Sequence, residues 1–148
     1  MIGAYSIDKS SWPRGQWDSE PDRLQWVDQS TGLDCLAVRN VNSGSWCGYV
    51  GVAPSHPWHG KDYDKIEAGC HGGLTYSDNC QGNVWHVPAP GRHDDVWWVG
   101  FDCAHAWDFS PGLAALYNRP GPDEFETYRT LAFVRDECAS LAKQAKGE

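Results

Sequence analysis

Val96-Trp97-Trp98-Val99-Gly100-Phe101-Asp102-Cys103-Ala104 is nearly all apolar. A run of this length reads as a strand with both faces covered. Side chains alternate along a strand, so Trp98 and Asp102 share one face, and Trp97, Phe101 and Cys103 share the other. The flanking sequence supplies further strands. Leu24 to Asp28, Leu33 to Arg39 and Trp46 to Val52 are apolar runs separated by Ser30-Thr31-Gly32 and by Asn42-Ser43-Gly44-Ser45. Short apolar runs between such turn clusters are hairpin signals, and together they predict an antiparallel meander.

Ala53 to Asp64 reads as a long loop, because its prolines cannot donate to a ladder. Ile66 to Tyr76 is predicted to be strand on both sides of Gly72-Gly73, Ser77 to Asn83 a turn, and Val84 to Val87 a short strand. A polar loop from Pro88 to Asp95 leads into the apolar run quoted first. Downstream, Ser110 is predicted to cap a short helix with Pro111 as its first residue, ending near Asn118. Arg119-Pro120-Gly121-Pro122 is a break. Asp123 and Glu126 have capping-box spacing and predict one long helix over residues 123–146. Tyr128, Leu131, Ala132, Cys138, Leu141 and Ala142 form its apolar stripe. The expected fold class is α+β: a twisted, mainly antiparallel sheet with the C-terminal helix packed on it. Residues 1–148 are expected to form one domain, with residues 1–20 an irregular arm that packs Trp12 and Trp17 on the body.

A chain of 148 residues fits one domain and buries about 68–70% of its unfolded surface without needing a metal or disulfide. Nine Trp supply much of that core, since each large aromatic buries about 150–250 Å². A net charge of −8 argues against binding duplex nucleic acid, because phosphate contacts need a basic face. The N-terminal stretch lacks an apolar core behind a basic segment, and no apolar run reaches transmembrane length. The expectation is a cytosolic protein without a membrane span. Its six Cys are accordingly read as thiols. None forms a Cys-x-x-Cys pair, which argues against a zinc ribbon.

Three stretches carry residues suited to chemistry. Asp102, His105 and Asp108 suit a metal, an imidazole oriented by a carboxylate, or plain hydrogen-bonded capping of a strand end. His71 precedes Gly72-Gly73, where a substrate can approach the backbone closely; a β-bulge with a satisfied histidine reads equally well. No Gly-x-Gly-x-x-Gly or Gly-Lys-Ser/Thr accompanies the glycines, so they do not form a phosphate-binding loop. The loop His56-Pro57-Trp58-His59-Gly60-Lys61-Asp62-Tyr63-Asp64 offers a His-x-x-His pair with two aspartates, a lid with Trp58 and Tyr63 for stacking, or a solvated loop. His93 reads as solvated and His86 as a satisfied structural histidine. No nucleophile-elbow or zincin signature is present.

The blocks Trp46-Cys47-Gly48-Tyr49-Val50-Gly51-Val52, His71-Gly72-Gly73-Leu74-Thr75-Tyr76 and Gly100-Phe101-Asp102-Cys103-Ala104-His105, with His56-Pro57, Gly60 to Asp64 and the C-terminal Tyr128-Arg129 to Leu141-Ala142, resemble a family of small proteins encoded by bacteriophages and prophages. The resemblance spans about Leu24 to Leu141. It implies an accessory protein made in the cytosol of an infected host, a class that often counters host defence. Trp107 departs from the pattern, where a small residue is expected, and would narrow a pocket.

The leading expectation is a binding function. Trp58, Asp62, Tyr63, Asp64, His71, Asp102, His105 and Asp108 are expected to converge on a pocket for a small polar, nucleotide-derived ligand. Carboxylates would accept from ribose or base donors, and an aromatic would stack. No residues are assigned as catalytic, no metal set is assigned and no cofactor is named. The acidity is awkward for a phosphate-rich ligand, with only Lys61, Arg92 and Arg119 near in sequence. A hydrolase using the same groups, with or without a metal, is the alternative. An acidic inhibitor of a host defence protein is the third reading.

Overall fold

The computed structural model describes residues 6–88, 90–91 and 94–147. Five strands form one sheet: β1 (Arg23–Val27), β2 (Asp34–Arg39), β3 (Trp46–Val52), β4 (Tyr76–Asp78) and β5 (Trp97–Asp102). Their order is β1-β2-β3-β5-β4, and every pairing is antiparallel. The two hairpins close where the sequence changes from apolar to Gly/Asn/Ser/Thr. Two helices follow, α1 (Pro111–Leu116) and α2 (Leu131–Ala145), and α2 packs on β3 and β2. The fold is therefore α+β, as the strand and helix signals predict.

The sheet is buried on both faces, as the apolar run in β5 requires. On one side Cys35, Ala37, Trp46, Val50, Phe101 and Cys103 meet Val134, Cys138, Leu141 and Ala142 of α2, with Trp12 and Trp17 packed into the same layer. Leu36, Val38, Tyr49 and Trp98 point the other way and are covered by Val84 and Val96. The helix comes close to the sheet because β3 carries Gly48. A Cβ there would lie 2.5 Å from the Phe101 ring and 3.0 Å from Cys138 Sγ.

Arg39 ties the arm to this body. It is fully buried, with Nε 2.8 Å from Asp22 and Nη2 3.1 Å from Glu20. It also donates to the Tyr128 hydroxyl at 2.8 Å and lies 4.4 Å over the Trp46 ring. Glu20 in turn accepts from the Leu131 backbone N–H at 2.6 Å, at the start of α2. A buried cation demands paired and hydrogen-bonded anions, and these contacts supply them.

Several sequence expectations need correction. The long helix starts at Leu131, with Thr130 as its cap accepting from Phe133 N–H at 3.1 Å. The Asp123/Glu126 pair closes an isolated turn instead, with Asp123 N–H donating to Glu126 at 2.9 Å. Thr127 cannot join the helix because its backbone pairs with Trp107 and Phe109, at 2.9 and 2.8 Å. The helix stripe shifts accordingly: Val134 is buried and Ala132 is exposed. Ile66 to Tyr76 is not a strand, since Gly72 and Gly73 adopt φ +70 and +85, and pairing begins only at Tyr76. Val84 to Val87 is not a strand either. Val84 makes one isolated bridge to Gln81, and the Gln25 amide satisfies the Val87 backbone at 2.7 and 2.8 Å. Ser110 stands at the α1 cap position, but its hydroxyl pairs with that of Ser45 at 2.6 Å.

Candidate functional site

The site grows from the C-terminal end of β5. Beyond Asp102 the chain turns sharply, and Asp108 N–H donates to the His105 carbonyl at 2.9 Å. The Asp108 carboxylate folds back into this turn and accepts the His105 N–H at 3.1 Å. Its side chain is fully buried, so each of its oxygens must find donors.

Those donors come from three segments. His105 Nδ1 lies 2.8 Å from Asp108 Oδ2. His71 Nε2 lies 2.9 Å from the same oxygen and 3.0 Å from Oδ1. Arg129 Nε donates to Oδ1 at 2.8 Å. An ionised carboxylate only accepts, so the ring nitrogens facing it carry protons in this arrangement. Burial works against the ionised form of Asp108. The hydrogen bonds from Arg129, His71 and His105 outweigh it and hold the carboxyl below its ordinary value.

The second ring of contacts fixes the imidazoles. His71 N–H donates to Glu137 of α2 at 2.7 Å. The His71 ring meets His105 and Phe133 edge-on, with centroids 5.2 and 5.1 Å apart. Trp107 stacks on His105 at 5.2 Å and 8°. The far nitrogen of His105, Nε2, is 3.7 Å from Asp102. Gly72 presses its backbone against that edge of the ring, leaving no room for a side chain. Beside His105 a depression of about 210 Å³ is lined by Ala104, Ser110, Leu113, Arg119 and Glu126 among others.

The eight candidate residues divide. His71, His105 and Asp108 meet directly, and Asp102 stands at their edge. Asp62, Tyr63 and Asp64 line a different depression with Thr75, Tyr76, Ser77 and Asp78. Trp58 packs on the main core, edge-on to His56. The expected single pocket is thus divided among the histidine cluster, a second depression, and the core face where Trp58 packs. His56 and His59 do not form a metal pair: His56 Nε2 is engaged by the Ala145 carbonyl at 2.6 Å, and His59 faces Asp95 at 3.6 Å. Among the described residues, His71, His105 and Asp108 are the one group of three that could hold a metal ion. His86 is buried edge-on to Trp98, 3.9 Å from Asp34. His93 and Arg92 lie outside the described residues.

Sequence reasoning missed Arg129 and Glu137. Both lie in the region taken as one long helix, where charged side chains read as a solvated face. Arg129 instead belongs to the extended segment before α2, and this turns it toward Asp108. Burial raises the Cys103 thiol strongly, and the nearby Asp108 adds to the effect. No helix among the described residues is long and apolar enough to cross a membrane. No family model, no curated protein and no solved structure matches this chain.

Proposed function

We propose that this chain is an accessory protein of phage type that binds a small polar ligand at the His71–His105–Asp108 cluster, in the cytosol of the host cell. The observation that carries the reading is the convergence of His71, His105 and Arg129 on the buried carboxylate of Asp108, from segments far apart in the chain. Such a charged centre is costly to assemble in a small domain and adds less to stability than apolar packing of the same volume. Functional sites are where such arrangements concentrate.

The depression beside His105 is smaller than the roughly 300–1,000 Å³ of drug-sized ligand sites. It suits one moiety, such as a sugar or a single base, with the rest of the ligand lying on the surface. Trp107 is about half exposed and offers a face for stacking. The cations nearby are already paired, Arg129 with Asp108 and Arg119 with Glu126 and Asp123. A ligand recognised by hydrogen-bond donors fits better than a run of phosphates. A nucleoside-like defence signal meets this description, and the likeness to phage and prophage accessory proteins supports that context.

A second reading has its own observation. An imidazole held by a carboxylate, as His105 is by Asp108, is the arrangement of a general base, so a small hydrolase uses the same groups. Native mass spectrometry of the freshly purified protein beside its denatured mass tests the binding reading. An organic adduct of a few hundred daltons that His105→Gln loses is the expected result. Turnover without a retained adduct favours the hydrolase. A bare protomer with no turnover overturns both and leaves the host-protein inhibitor.

A further inference from the structure

We infer that His71 Nε2, His105 Nδ1 and Asp108 Oδ2 are the protein ligands of a divalent first-row transition-metal ion, of which zinc is the natural probe. The inference rests on the reading of this cluster as the functional site, and it names the group that organises it. Asp108 Oδ2 lies 2.8 Å from His105 Nδ1 and 2.9 Å from His71 Nε2. His71, His105 and Asp108 can each offer one ligand atom such that the three lie within 4.8 Å of one another. Donors around a tetrahedral zinc stand about 3.3 Å apart, given zinc–ligand distances of about 2.0–2.2 Å. To seat the ion, the two separations from Asp108 Oδ2 would each lengthen by about half an ångström. Two imidazoles and one carboxylate leave a fourth position open, the pattern of zinc sites that bind water or a substrate.

The surroundings favour a cation there for three reasons. First, His105 lies between two carboxylates, with Nδ1 on Asp108 and Nε2 3.7 Å from Asp102. A neutral imidazole has one N–H, so without an ion one carboxylate faces a lone pair unless the ring is charged. An ion at Nδ1 removes the conflict, because the remaining Nε2–H then points toward Asp102. At 3.7 Å Asp102 lies just beyond hydrogen-bond distance, on the side from which a carboxylate orients a metal-bound histidine. Second, Arg129 engages Oδ1, while both imidazole nitrogens converge on Oδ2, which also accepts the His105 backbone N–H. Third, Asp102, Asp108, Glu126 and Glu137 lie around the cluster against the two cations Arg119 and Arg129. That local excess of negative charge suits a dication.

The test begins with protein stripped by a chelator, desalted, and titrated with zinc alone. One zinc per chain is expected in the native mass. Cobalt is expected to give the visible absorption of a tetrahedral site. His71→Gln and His105→Gln should each weaken zinc by at least about 100-fold, and Asp102→Asn by about 10–100-fold. Cys80→Ser should retain the metal, which separates this site from the exposed thiol. Far-UV circular dichroism checks that each variant is folded; should His71→Gln fail, His105→Gln and Asp102→Asn carry the test. Absence of stoichiometric zinc, or zinc that persists in both histidine variants, overturns the inference. An organic adduct on metal-free protein would leave the binding function standing while the metal falls. One zinc per chain with neither adduct nor turnover would do the reverse.

Discussion

Gly72 lies against the imidazole of His105, so that a Cβ at position 72 would sit 2.1 Å from Nε2. Its neighbour Gly73 faces open space. Both adopt positive φ, +70 and +85, which costs an alanine about 1–2 kcal/mol. Gly73→Ala should show that backbone cost alone. Gly72→Ala should cost more in urea unfolding and should also displace His105, weakening zinc or ligand binding. Equal behaviour of the two variants would contradict the contact.

Arg39 is the least replaceable residue of the arm–body junction. Its removal takes the guanidinium from Asp22 and Glu20, which keep only Lys9 and backbone and hydroxyl donors, and breaking a buried ion pair costs about 3–5 kcal/mol. Arg39→Met should lower stability by about that amount. Because Glu20 also accepts from Leu131 N–H, hydrogen exchange at the first turn of α2 should rise in Glu20→Ala while the last turn is unchanged.

Two candidate helix caps can be told apart by substitution. Thr130→Ala should cost about 1 kcal/mol, the usual value of an N-cap side chain. Asp123→Ala should stay within about 0.5 kcal/mol, as for a surface turn. The reverse ranking in chemical denaturation would mean that α2 begins at residue 123 after all.

Alkaline pH should destabilise the fold. Burial pushes the Cys35 thiol up to about 12, and the Cys47 and Cys70 thiols up to about 11. The ordinary value is 9.0. Burial also raises the Tyr49 and Tyr128 hydroxyls. Between the unfolded and folded values the unfolded chain binds fewer protons, so stability falls as pH rises. The stabilisation is complete below about pH 9 and is lost progressively up to about pH 12. The urea midpoint should therefore fall between pH 8.5 and about 10.5, and Cys47→Ser with Cys70→Ser should flatten the slope. A midpoint independent of pH over that range would refute the assignment.

Periodicity and turn chemistry determined much of the fold. β3 is Trp46–Val52 in both readings, and the apolar run around Val99 demanded the two-sided burial that the sheet has. These features are local: a side chain's face follows from its place in a strand, and a turn from Gly, Asn and Ser. The helix start was not legible. Asp123 and Glu126 do form a capping-type contact, but whether a helix follows depended on Thr127 finding a partner in Trp107 and Phe109, far along the chain.

The site divides in the same way. Residue type and spacing grouped Asp102, His105 and Asp108, and the Gly-Gly pair marked His71, but nothing local joined His71 to the other three. Only the tertiary structure brought His71 to Asp108, recruited Arg129 to the same carboxylate and set Glu137 on the His71 backbone. It also sent Asp62, Tyr63 and Asp64 to a separate depression. The physical reason is that a buried carboxylate must gather its donors from whatever segments pack around it, and that packing is a property of the whole chain.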